Sequence, residues 1–92
     1  MEILFNDNGK KGAFYIEENG SKLAEMTFVW AGSNMIIDHT EVSKSLAGKG
    51  IGKQLVEKAV LMARENNFKI IPLCPFAKAT FDKVKKYSDV LN

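Results

Sequence analysis

Apolar and polar residues alternate through the first half of the chain, and the period changes at residue 50. "EILFN" (2–6) is a short apolar run, and "GAFYIEE" (12–18) follows after the polar turn "DNGKK". Asn19-Gly20 then separates it from "SKLAEMTFVW". Both turn residues tolerate positive φ, so the pair predicts a tight type I′ hairpin. The strand beyond it spans about 22–30 and ends near "AGSN", and "MIIDHTEV" (35–42), rich in β-branched residues, predicts another strand. From Ile51, apolar residues recur at Leu55, Val56, Ala59, Val60, Met62 and Ala63, the period of an amphipathic helix. That helix stops at "ENN", where Asn66 or Asn67 can take the left-handed conformation. "FKIIPLC" (68–74) reads as a short strand interrupted by Pro72, which suits a splayed end. "AKATFDKVKKYSDVL" (77–91) reads as a second helix with Phe81 and Val84 on one side. The order β-β-β-β-α-β-α predicts an α+β domain: a mostly antiparallel sheet, one βαβ crossover and a C-terminal helix.

Composition narrows the function. Ninety-two residues, 46% apolar and 26% charged, make one small globular domain over 1–92. One cysteine excludes an internal disulfide framework and a cysteine-rich metal site, and no metal is expected. A net charge of +2 with scattered basic residues gives poor support for a nucleic-acid partner. No segment approaches the roughly 20 apolar residues of a membrane span. "MEILFNDNG" lacks the basic region, apolar core and cleavage site of a leader, so the expected location is cytoplasmic. Exposed strand edges in so small a sheet are compatible with a monomer or a weak homodimer.

The stretch "SLAGKGIGKQL" (45–55) concentrates Gly48, Gly50 and Gly52 just ahead of the long helix. A Walker loop would need a glycine at Ala47 and a hydroxyl at Gln54, and the dinucleotide fingerprint lacks its third glycine. What remains is a run of free amides entering a helix N-terminus, which favours an anion, with Lys49 and Lys53 beside it. A solvated turn that merely starts the helix fits the same spacing.

"AGKGIGKQLVEKA" resembles the acetyl-CoA pyrophosphate loop of the GNAT N-acetyltransferases, Gln/Arg-x-x-Gly-x-Gly/Ala after a strand. Gly50 and Gly52 fill the two small positions, and Ala47 stands where the family usually has Arg or Gln. "HTEV" (39–42), "PLCP" (72–75) and Tyr87 extend the likeness toward a minimal, YjdJ-like branch over nearly the whole chain. The resemblance implies a shortened GNAT fold with acetyl-CoA as co-substrate. A V-shaped opening between "DHTEV" and "IIPLC" would hold the pantetheine arm. Gly48, Lys49, Gly50, Ile51, Gly52 and Lys53 would grip the pyrophosphate, while Val42 and Ser43 end the strand that pairs with the pantetheine amides. The acceptor would be an amine on a small molecule or a protein.

Three residues carry candidate chemistry. Strand alternation projects His39 and Glu41 to one side, where an imidazole can accept a proton and a carboxylate can orient it. A hydrogen-bonded histidine beside a surface carboxylate fits equally. Cys74 reads either as a small buried hydrophobe or, through the resemblance, as a thiol beside the cofactor sulfur that could relay the acetyl group. Its ionisation would need His39 or a helix dipole. Tyr87 reads as helix packing, Phe76 as a wall of the acyl slot or core, and the lysines of "FDKVKKY" as a solvated face within reach of coenzyme A phosphates. A non-catalytic module that binds coenzyme A or an acyl-CoA is the alternative to an enzyme.

Overall fold

The computed structural model describes residues 1–92 as one five-stranded sheet with helices on one face. Strands β1 (Leu4–Asp7), β2 (Lys11–Glu18), β3 (Ser21–Ala31) and β4 (Asn34–Val42) form an antiparallel meander. Helix α1 (Ile51–Asn66) then crosses over to β5 (Lys69–Pro72), which pairs parallel with β4. Sheet order therefore follows chain order, and the expected α+β architecture is present. Asn19 and Gly20 take φ of 52° and 81°, the two positive values that a type I′ hairpin requires. Asn67, at φ 57°, closes α1.

Alternation sorts the two faces of the sheet. Phe14, Ile16, Ala24, Met26, Phe28, Met35 and Ile37 are buried under α1, which contributes Leu55, Val56, Ala59, Val60 and Ala63. Burying each Leu or Val of that stripe stabilises by about 1.5–3 kcal/mol, more than the roughly 1 kcal/mol that α1 forgoes by starting at Gly50 without a side-chain cap. The helix forms although its first amides stay uncapped.

The C-terminal segment departs from the single helix expected over 77–91. Helix α2 runs Pro75–Lys83, and a 3-10 segment covers Lys85–Val90. The join is Val84, whose φ of −103° and ψ of 88° lie outside the helical region. The tighter turn beyond is fixed by tertiary bonds that a local pattern does not reveal. Arg64 pairs with both Asp89 oxygens at 2.8 and 2.9 Å and donates to the Lys86 carbonyl at 2.7 Å, while Lys69 Nζ donates to the Asp89 carbonyl at 2.8 Å. Leu91 then forms a parallel bridge with Ile70, covering part of the β5 edge.

Gly12 is the tightest backbone position in the sheet. A Cβ there would collide with the Asn6 carbonyl oxygen and lie 2.7 Å from the Phe28 ring. Backbone and a buried aromatic must both move, so Gly12→Ala should cost about 3 kcal/mol, the upper end of the range for overpacking. That is a large share of the roughly 5–14 kcal/mol available to a domain of this size. Urea titration is the check, with Gly9→Ala, which carries backbone strain at φ 90° but meets no atom, as the comparison without a clash.

Candidate functional site

Strands β4 and β5 part at a defined point. Their parallel register runs from Asn34↔Lys69 to Ile37↔Pro72 and stops. The Leu73 amide makes the last ladder bond, to the Ile37 carbonyl (2.9 Å), and the Cys74 amide converges on the same oxygen (3.1 Å). A bulge falls at the same place: Phe28 faces Ile37 but Thr27 faces His39, leaving Asp38 as the extra residue. Beyond it, β4 from Asp38 to Val42 pairs with β3 alone. This is the V-shaped opening that the sequence resemblance implied.

Cys74 sits at its mouth, outside β5. The strand ends at Pro72, two residues short of the expected boundary, and Cys74 is the N-cap of α2. Pro75 explains the shift. It holds the preceding residue extended (Cys74 ψ 143°) while occupying the first helical position. The thiol is 6% exposed. Its Sγ accepts from the Ala77 amide at 3.4 Å and lies 3.2 Å from Thr40 Oγ1, across the opening on β4. Thr40 is the residue that sequence reasoning missed, although the alternation that placed His39 and Glu41 together already put Thr40 on the other face.

That alternation separates the expected catalytic trio. Thr40 points toward Cys74, so His39 and Glu41 project from the helix-free face, paired across the sheet with Thr27 and Glu25. Their side chains are 62% and 79% exposed, and His39 Nε2 lies 4.0 Å from Glu41 Oε2. No hydrogen bond joins His39 to Cys74; the Ala77 amide and the Thr40 hydroxyl are the polar partners of the sulfur instead. A polar hollow of about 520 Å³ lies on the same helix-free side, with Glu25, Thr27 and Asp38 in its wall.

The glycine loop lies on the helix side. Gly48 and Gly50 take φ of 79° and 69°, and a Cβ at either would meet nothing within 4 Å, so the backbone is open to an approaching group. The first helical bond is Gln54 N–H to the Gly50 carbonyl at 3.1 Å, which leaves the Ile51, Gly52 and Lys53 amides without intrahelical acceptors. Gly52 has a further reason to be glycine: a Cβ there would collide with the Phe76 ring. Loop and ring border a cavity of about 750 Å³, whose wall also includes Val42, Leu46 and Thr80. Lys53, Lys83, Lys85 and Lys86 line it as well. Lys49 and Ser43 are outside the wall; the Ser43 hydroxyl accepts from the Ser45 amide and caps a 3-10 turn over Lys44–Leu46. Tyr87 is buried and donates to Glu57 at 3.0 Å. Burial and that carboxylate both raise the phenol above its ordinary value of 10.0, and the hydroxyl serves packing.

The donor arrangement fits an anionic ligand with an extended arm. A model of the GCN5-related N-acetyltransferase family matches residues 13–90. The chain belongs to the GCN5-related N-acetyltransferase family. The solution structure of a "GCN5-like putative N-acetyltransferase" from Staphylococcus aureus is 40% identical to this family member, with a TM-score of 0.72 over 97% of this chain and 87% of that one. Two larger relatives share the fold. A ribosomal-protein-alanine N-acetyltransferase from Brucella melitensis is 21% identical (TM-score 0.65, 92% of this chain and 64% of that one). An IAA acetyltransferase from Bacillus cereus is 22% identical (TM-score 0.61, 80% and 53%). No curated protein matches the sequence significantly. Acetyltransferase chemistry is thus the general activity of the family, and the family's co-substrate is acetyl-CoA.

The Arg64–Asp89 pair that steadies the lysine-bearing wall has a pH signature. The guanidinium hydrogen bond holds the Asp89 carboxyl below its ordinary value of 3.8. A depressed carboxylate contributes stability that is complete above its unfolded value and is lost as pH falls through the folded one. The stability advantage of the native chain over Asp89→Asn should therefore be full at neutral pH and shrink below pH 3.8, as read by denaturant midpoints across pH.

Proposed function

We propose that this chain binds acetyl-CoA on the helix side of the sheet and transfers the acetyl group to an amine that arrives from the other side. The observation that carries the reading is the continuity of the cavity wall. Uncapped amides at Ile51 to Lys53, a cationic rim and Val42 at the end of the unpaired half of β4 line one space. The diphosphate would sit on the loop amides. The pantetheine arm would run as an extra strand beside β4, where β5 has left the ladder.

Cys74 and Thr40 face each other where that arm would end. The Thr40 hydroxyl and the Ala77 amide are donors for a sulfur anion at the start of α2. In the proposed reaction the Cys74 thiolate attacks the thioester carbonyl and forms an acetyl–Cys74 thioester, expelling the coenzyme A thiolate, which takes up a proton. The acceptor amine then attacks that carbonyl, gives up a proton and restores the thiolate. His39, oriented by Glu41, would take the amine proton at the unpaired edge of β4. Asp38 and Glu41, beside the Lys22–Glu25 ion pair, would offer carboxylates to a cationic amine on the acceptor's side.

Two measurements test the two halves of this scheme. Gly50→Val adds a β-branched side chain to a left-handed backbone at a strain of about 1–2 kcal/mol, which leaves the domain folded but closes the cradle. Coenzyme A binding by calorimetry should disappear while the circular dichroism spectrum is retained, and undiminished binding would remove the loop from the site. Mixing the native chain with acetyl-CoA should add one acetyl mass that Cys74→Ser does not acquire. Turnover without any adduct on the native chain would replace the relay with direct attack by the amine, and no turnover with any amine would leave a coenzyme A-binding module.

A further inference from the structure

Four lysines border the large cavity, and none has a carboxylate partner. Lys53 follows the glycine loop, and Lys83, Lys85 and Lys86 come from the far wall. The ion pairs of the molecule lie elsewhere, at Lys22–Glu25, His39–Glu41 and Arg64–Asp89. The far-wall set exists only because the C-terminal helix breaks. In a continuous α-helix, residues 83 and 85 would point about 160° apart and could not line one groove. The non-helical Val84 and the 3-10 turn after it bring 83, 85 and 86 to the same space. The turn is held in that path by Arg64, which donates to the Lys86 carbonyl, and by Tyr87, whose hydroxyl is bonded to Glu57. Like charges gathered on a fixed turn repel one another unless an anion lies between them.

The charge balance identifies the anion. A diphosphate diester carries two negative charges and is already served by the Ile51, Gly52 and Lys53 amides and the Lys53 ammonium. Three further lysines are more than it needs. A phosphate monoester adds about −1.5 to −2 at neutral pH, which brings the ligand close to the charge of the four lysines. We propose that Lys83, Lys85 and Lys86 form a subsite for a third phosphate, a ribose monoester, so that the protein distinguishes coenzyme A from its 3′-dephospho form. This rests on the coenzyme A reading given above. The subsite is a specificity device built from exposed side chains, so its removal changes ligand choice without disturbing the core.

Calorimetric titration of the full chain with coenzyme A and with 3′-dephospho-coenzyme A tests the proposal. The native chain should bind coenzyme A about tenfold more tightly. In Lys85→Ala/Lys86→Ala the preference should fall to within about twofold, chiefly by weaker coenzyme A binding, and Lys85→Arg/Lys86→Arg should retain it. Equal affinity of the native chain for both ligands overturns the subsite while leaving the loop assignment standing. So does a double-alanine variant that weakens both ligands by the same factor. Binding of neither ligand by the native chain overturns the coenzyme A reading and the subsite together.

Discussion

The site depends on one shared carbonyl. The Leu73 amide makes the last bond of the parallel ladder, to the Ile37 carbonyl, and the Cys74 amide converges on that same oxygen instead of continuing along β4. The sheet therefore opens between β4 and β5, where a regular parallel pair would have continued. The bulge at Asp38 turns β4 at the same level, and Pro75 starts α2 at once. Together these constraints aim a cysteine from one lip of the opening at a threonine on the other.

Much of this was legible in the residues. The four-strand meander, the Asn19-Gly20 hairpin, the start and stop of α1 and the parallel β5 all follow from periodicity and turn chemistry, which act locally. The glycine loop was legible as a cradle, and Gly48, Gly50, Ile51, Gly52, Lys53 and Val42 do line one cavity. Two kinds of information were hidden. The C-terminal break at Val84 is imposed by Arg64, a helix away in sequence, and no local pattern records a partner so distant. The second is the role of Gly52. It reads from the sequence as ligand-approach glycine, yet the absence of its Cβ also lets the Phe76 ring lie against α1.

The position of Cys74 shows how small a boundary error can matter. Placed at the end of a strand, it is one of several residues near an opening. As an N-cap it has a fixed extended backbone, an amide aimed at its sulfur from Ala77 and a hydroxyl opposite. The sequence pair Pro72 and Pro75 contained this distinction, because the residue before a proline is held extended and a proline at the first helical position is favoured. His39 lost its expected partner for the same kind of reason. Thr40 faces the thiol, so alternation requires its neighbours to face away.

That alternation gives the sheet an electrical polarity that a net charge of +2 conceals. On the helix side, Lys53, Lys83, Lys85 and Lys86 surround a cavity with free amides at its base. On the other side, Glu25, Asp38 and Glu41 cluster near the unpaired half of β4, with Lys22 engaged to Glu25 at 2.7 Å. Under the proposed reaction, an anionic carrier and a cationic acceptor would be attracted to opposite faces, and each repelled from the other's. The opening between β4 and β5 is the place where those two faces are separated by no paired backbone. A group carried along one face can meet a nucleophile from the other only there. A gap in a sheet can thus join two faces that differ in charge.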